Sequence, residues 1–217
     1  MTSPKIIAVI PAYNEEKTVG SVVRGLKPHV SEIILVDDHS SDKTAEAARA
    51  AGAVVIRQEK NLGYDASLNA GFKAAALRGA DIFITLDADG EHDVRDVPRV
   101  LAPILSGTAD ISLGQRPRAR HIAESIFSLY TRVHWGVPDA LCGLKAYSRK
   151  VYDSVGHFDS VTSIGTELMI RGITRGFRFS LVPITLHSRA YDNSRFYAFN
   201  VRGNLRILRA MIRVLFM

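Results

Sequence analysis

The chain has one cysteine, Cys142, so an internal disulfide framework is excluded and a reducing compartment fits. It has no apolar run of about 18 residues, the length a membrane-spanning helix needs. The apolar stretch at residues 5–11 is too short for a signal peptide and runs straight into a polar motif. Internal repeats, low-complexity tracts and linkers are missing as well. The histidines His92, His134 and His157 lack metal-ligand spacing. What remains is ordinary for a globular protein: 217 residues, 47% hydrophobic and 23% charged, enough for one domain with a proper core. The net charge of +6 points to an anionic partner: nucleic acid, an anionic membrane surface or a phosphorylated substrate. No nucleic-acid recognition motif accompanies that charge, so nucleic acid drops out.

Ile6-Ile7-Ala8-Val9-Ile10 is a continuous apolar run ended by Pro11, the pattern of a strand buried on both faces. Residues 33–36, 54–56 and 82–86 repeat it. Between these strands the pattern predicts helices over 14–26 with Asn14 as N-cap, over 44–51 closed by Gly52, and over 65–78 closed by Gly79. Alternating strands and helices predict an α/β fold, Rossmann-like, with a mostly parallel central sheet flanked by helices. The second half is less regular. It predicts helices over 94–105, 121–135 and 167–175, and strands over 111–113, 144–147 and 179–184. One domain over 1–195 with a C-terminal appendage over 196–217 is the economical division.

In parallel sheets ligands bind beyond the carboxyl ends of the strands. The polar clusters at residues 11–16, 37–42 and 87–91 each begin where a predicted strand ends, so they should converge. In Asp87-Ala88-Asp89-Gly90-Glu91-His92, two carboxylates two residues apart can face one crevice. Such hard oxygen ligands suit Mg²⁺ or Mn²⁺ bridging to substrate phosphates, with Glu91 as a third carboxylate. A solvated acidic turn would read the same from the tripeptide alone.

Taken together, Pro11-Ala12-Tyr13-Asn14-Glu15-Glu16, Val36-Asp37-Asp38-His39-Ser40-Ser41-Asp42, Asn61-Leu62-Gly63 and Asp87-Ala88-Asp89-Gly90-Glu91-His92 resemble the family 2 glycosyltransferases of GT-A fold. The resemblance implies that Pro11, Tyr13, Glu15, Val36 and Asp38 line the nucleoside of a nucleotide-sugar donor. Asp87, Ala88 and Asp89 would bind its diphosphate, with Asp87, Asp89 and Glu91 as metal ligands. Asp37 and Asp42 read as turn stabilisers instead, because Asp bonds nearby backbone N–H groups. Gly114-Gln115-Arg116, the segment Asp139 to Tyr147, and Arg189-Ala190-Tyr191-Asp192-Asn193-Ser194-Arg195 resemble the polyprenyl-phosphate mannose or glucose synthases within that family. The implied reaction is inverting sugar transfer from a GDP- or UDP-linked donor to a polyprenyl or dolichyl phosphate.

A phosphate acceptor is already an anion and needs no general base, but it must be held against a negatively charged donor. Arginines do this through bidentate contacts. Arg116 and Arg120 are the candidates for the acceptor phosphate, and Arg189 and Arg195 for the donor diphosphate. Asp89 with Arg116 and Arg120 then forms the catalytic set. A second reading has a carbohydrate hydroxyl as acceptor and requires a base, for which Glu167 is the candidate. A third is a noncatalytic nucleotide-binding scaffold.

Residues 196–217 place Arg202, Arg206, Arg209 and Arg213 on one helical stripe beside Val201, Leu205, Leu208, Ile212 and Leu215. This basic amphipathic helix predicts a peripheral contact on the cytoplasmic face of a membrane. Packing on the domain core is the competing reading. The resemblance implies transmembrane segments after this region in longer relatives; their absence here would reflect either truncation or a separate membrane-anchoring partner.

Overall fold

The computed structural model describes residues 3–117, 122–187 and 201–215. Its sheet has seven strands: β1 (Ile6–Ala12), β2 (Glu32–Asp37), β3 (Val54–Arg57), β4 (Ile82–Thr85), β5 (Ile111–Gln115), β6 (Lys145–Ser148) and β7 (Phe179–Pro183). Their spatial order is β3-β2-β1-β4-β6-β5-β7. Only β6 runs against its neighbours, β4 and β5. The helices are α1 (Val19–Leu26), α2 (Thr44–Ala51), α3 (Tyr64–Leu77), α4 (Val97–Leu105), α5 (Ile122–Trp135), α6 (Arg149–Val155), α7 (Glu167–Thr174) and α8 (Val201–Leu215).

Successive residues of β1 serve opposite layers. Ala8 and Ile10 pack with Val19, Val22, Val23 and Leu26 of α1 and with α2 and α4. Ile7 and Val9 pack with Leu68 and Phe72 of α3 and with residues of α5, α7 and α8. Burial on both faces explains why the strands read as unbroken apolar runs rather than alternating ones. Helix α3 lies close enough to the sheet that a Cβ on Gly71 would meet Val9 and Val36.

The predicted α/β architecture holds, with local corrections. Asn14 does not cap a helix: it takes a left-handed φ of 57°, and its Oδ1 accepts from Ser41 N at 2.8 Å. Helix α1 therefore starts later, at Val19, after a turn in which Thr18 N and Val19 N donate to Glu15 O. The helix predicted from residue 94 opens as a 3₁₀ turn, Val94–Asp96, because Pro98 favours a fresh start for α4. Helix α6 was not anticipated; its seven residues are too few for a periodic signal.

The chain builds β1, β2 and β3 outward, then returns to place β4 on the other side of β1. The topological switch point lies between β1 and β4. Register fixes what gathers there. Ala12 pairs with Asp37, and Thr85 pairs with Lys145, which pairs with Leu113. The ends of β1, β2, β4 and β5 and the start of β6 thus share one edge.

Candidate active site

The loops after β1 and β2 are joined by hydrogen bonds. Ser40 Oγ accepts from Asn14 N at 3.0 Å, Thr44 Oγ1 from Glu15 N at 2.8 Å, and Glu16 Oε2 from Lys43 N at 3.0 Å. Asp42 accepts from Thr44 N and Glu16 N, and Asp37 from Ser40 N at 3.0 Å, the turn-stabilising work expected of both. Tyr13 and Glu15 are half-buried on the shared edge, and Pro11 sits opposite Val36. The Val36 side chain is fully buried beneath α3, so only its backbone faces that edge.

Asp38 is buried, and loop donors occupy it. Its Oδ1 accepts from Leu62 N at 2.7 Å and Gln58 Nε2 at 3.0 Å, and its Oδ2 from Gly63 N at 2.9 Å. The carboxylate therefore ties the Asn61-Leu62-Gly63 loop to the end of β2. The resemblance implies a nucleoside contact for Asp38; the loop-tying role has no signal in the sequence.

Beyond β4, Asp87 is part-exposed while Ala88 and Asp89 are buried. Asp89 Oδ1 accepts from Glu91 N at 3.0 Å across the tight turn made by Gly90, whose φ is 75°. Burial pushes the Asp87 carboxyl up from its ordinary value, and the charges of Asp89 and Glu91 push the same way; His92 opposes them. The hydroxyl of Tyr64, at the start of α3, is held well above the usual range by burial and by the nearby Asp87 carboxylate. An all-oxygen donor set under mutual repulsion suits a hard divalent cation. Among the described residues, no three Asp, Glu, His or Cys side chains group to hold a metal by themselves. Glu91 follows in the same turn and is buried.

Behind this pair lies a layer that residue spacing did not reveal. His92 is buried, with Nδ1 3.8 Å from Asp87 Oδ2 and Nε2 3.7 Å from Cys142 Sγ. Burial raises the Cys142 thiol to about 12, so it is a neutral packing group rather than a nucleophile. Lys145 is buried too and donates to Gly165 O at 2.7 Å; burial lowers its ammonium to about 8 against the pull of nearby acidic groups. The segment after β7 closes this side: His187 N donates to Glu91 O at 2.8 Å, and Leu186 bridges His92.

Arg116, just past β5, is not an open cation. It donates to Asp139 through Nε at 2.8 Å and Nη2 at 2.7 Å, and Nη2 also contacts Glu124 of α5. Two carboxylates thus orient one mostly buried guanidinium. Glu167 is fully buried and receives His157 Nε2 at 2.9 Å, Ser160 Oγ at 2.9 Å, Arg171 Nε at 2.6 Å, Val161 N at 3.2 Å and Ser160 N. Burial disfavours its charge, but bonds from His157, Ser160 and Arg171 outweigh that and hold its carboxyl down to about 2. Arg120, Arg189 and Arg195 lie outside the described residues.

The Asp87-Ala88-Asp89 turn and the joined loops of β1 and β2 meet at the switch point, an arrangement that defines a nucleotide-sugar transferase of GT-A architecture. Among solved structures, glucosyl-3-phosphoglycerate synthase from Mycobacterium tuberculosis, in complex with Mn²⁺ and UDP-glucose, superposes with a TM-score of 0.70 at 26% identity, over 88% of this chain and 73% of that one. An uncharacterised protein of Methanocaldococcus jannaschii is 33% identical over 96% of this chain and 91% of its own. A UDP-N-acetylglucosamine–dolichyl-phosphate N-acetylglucosaminyltransferase of Methanococcus voltae is 31% identical over 69% and 71%. The family model of glycosyl transferase family 2 matches residues 7–156. The chain belongs to that family and is a nucleotide-sugar-dependent hexosyltransferase resembling the polyprenyl-phosphate sugar synthases.

Proposed function

We propose that the chain transfers a mannose- or glucose-type sugar from a GDP- or UDP-linked donor to a polyprenyl phosphate, with inversion at the anomeric carbon. The observation that carries this reading is the state of Glu167. A hydroxyl acceptor needs a base, and the one candidate carboxylate is saturated by five donor groups and held far below neutrality. An acceptor that arrives as an anion needs none. One of its phosphate oxygens attacks the anomeric carbon, the bond to the nucleoside diphosphate breaks, and the diphosphate leaves with the bonding pair.

In this reading Asp87 and Asp89, with Glu91 beside them, would hold Mg²⁺ or Mn²⁺ together with the donor diphosphate, and the ion would supply charge neutralisation for the leaving group. Pro11, Tyr13, Glu15 and the backbone at Val36 border the nucleoside, while Asp38 keeps the neighbouring loop in place. Arg116, oriented by Asp139, meets the acceptor phosphate, with Arg120, Arg189 and Arg195 as further phosphate contacts. A lipid acceptor also calls for a peripheral seat on the cytoplasmic face of a membrane, through the chain itself or an anchoring partner.

Labelled GDP-mannose, UDP-glucose and UDP-N-acetylglucosamine should be tested with a polyprenyl phosphate and Mn²⁺. The expected result is a solvent-extractable labelled lipid from one donor, abolished by chelation and by Asp89→Asn. No labelled lipid from any of them would overturn the proposal.

A further inference from the structure

Six of the ten large hydrophobic side chains left exposed among the described residues lie on just two helices, α5 and α8. On α5, Ile122, Ile126, Leu129 and Val133 recur at steps of four, three and four, so they form one narrow stripe. They are 69%, 48%, 63% and 72% exposed. Helix α8 packs against α5, with Asn204 Oδ1 accepting from Ala123 N at 3.3 Å. Ile207, Ala210 and Val214 of α8 are buried, whereas Leu205 and Ile212 stay 46% and 50% exposed. The apolar arc of α8 is therefore divided: one part enters the core and the other faces outward. Single exposed hydrophobics need no explanation, but a stripe running along one helix and continued on its neighbour does.

We propose that this outer face of α5, together with Leu205 and Ile212 of α8, docks the enzyme on an anionic bilayer. Charge favours lipid over a second copy of the chain. Arg132 on α5 and Arg206, Arg209 and Arg213 on α8 are exposed along the same two helices. Helix α8 has no acidic residue, and the only one on α5, Glu124, is buried on the inner side against Arg116. A two-fold self-contact through this face would set like charges together. An apolar stripe bordered by arginines matches acyl chains beneath acidic headgroups.

The placement also has a use. The inner side of α5 holds Arg116 through Glu124, roughly one helix diameter, about 10 Å, from the outer stripe. A bilayer seated on the stripe brings a lipid-linked phosphate to the mouth of the site. That purpose rests on the proposed acceptor; the exposure and charge pattern do not.

The test is sedimentation of the full chain with vesicles of phosphatidylcholine alone or with 30% phosphatidylglycerol, roughly the anionic content of a charged leaflet. Leu129→Asp/Val133→Asp should lower partitioning onto the anionic vesicles more than tenfold with unchanged thermal unfolding. Leu77→Asp, on an exposed position of α3, should leave it unchanged. Transfer to a short-chain, water-soluble polyprenyl phosphate should be the same in all three proteins. Undiminished vesicle binding by the double variant overturns the proposal. So does a solution dimer of the parent that the double variant dissociates, since a second copy would then cover the stripe. Stripe-dependent vesicle binding without transfer to any polyprenyl phosphate upholds the docking face and overturns the acceptor assignment instead.

Discussion

Gly143 lies directly against the Asp87 carboxylate: a Cβ at Gly143 would stand 2.7 Å from Asp87 Cγ, 2.9 Å from Oδ1 and nearer still to Oδ2. The backbone leading into β6 therefore forms the floor on which the first carboxylate of the Asp87-Ala88-Asp89 turn rests. The glycine is needed for close approach, not for an unusual φ.

Gly143→Ala should displace the Asp87 carboxylate. Misplacing a reacting arrangement by about 1 Å costs about 100-fold, so kcat/KM should fall by that order while the protein stays folded. Steady-state kinetics alongside thermal unfolding check this. Unchanged kinetics would show that Asp87 tolerates displacement.

Asp38→Asn should act mainly on stability. It places an amide NH₂ against a loop of N–H donors from Leu62, Gly63 and Gln58. A buried group left unsatisfied costs about 1–3 kcal/mol, measurable by urea unfolding. A rise in donor KM with stability unchanged would return Asp38 to direct nucleoside contact.

Glu167→Gln should destabilise by about 3 kcal/mol near neutral pH, because it removes a buried charge from its His157 and Arg171 partners. The folded carboxyl sits at about 2, below its ordinary 4.5. A depressed carboxyl contributes its stability above the ordinary value and loses it as pH falls through the folded one. The gap between parent and variant should therefore narrow as pH drops from 4.5 toward 2. Denaturant unfolding across that range reads it out. A fully folded Gln variant with kcat down 1,000-fold or more would restore Glu167 as a base.

Arg116→Lys should lose the two-point contact with Asp139 and weaken acceptor use by about tenfold or more, with donor affinity unchanged. Glu124→Gln should act in the opposite sense and lower acceptor KM, since a carboxylate no longer competes for Nη2. Initial rates at varied polyprenyl phosphate separate the two. A rise in acceptor KM in the Gln variant would make Glu124 a support of the grip instead of a competitor.

Much of this molecule was legible in local pattern. The buried strands announced themselves as unbroken apolar runs because both faces of the sheet are covered, and the polar clusters at their ends marked the site edge. Asp87 and Asp89 were found because paired carboxylates after a buried strand have a short-range signature. Asn14 misled because a left-handed Asn and a capping Asn are the same letter, and its partner Ser41 lies in another loop. Asp139 was missed as a partner of Arg116, and Cys142 as a partner of His92, because these contacts join residues 23 and 50 positions apart; Glu124 and His92 lie nearer in sequence, but only the packing of their elements turns them toward Arg116 and Asp87.

By itself, then, the sequence determined the α/β class, the order of the elements and the edge where ligands gather, because those follow from hydrophobic period and strand-end chemistry. The tertiary structure decided which charges remain available. Asp38 is saturated by donors of a loop more than twenty residues on, Glu167 by its own neighbours once they are folded around it, and Arg116 is oriented by Asp139 and Glu124. It also decided which apolar stripe stays outside: the expected membrane helix α8 turns part of its face into the core, while α5, unremarkable as a string of letters, presents its own to solvent. Burial and the long-range pairings are properties of the packed chain, so local pattern does not carry them.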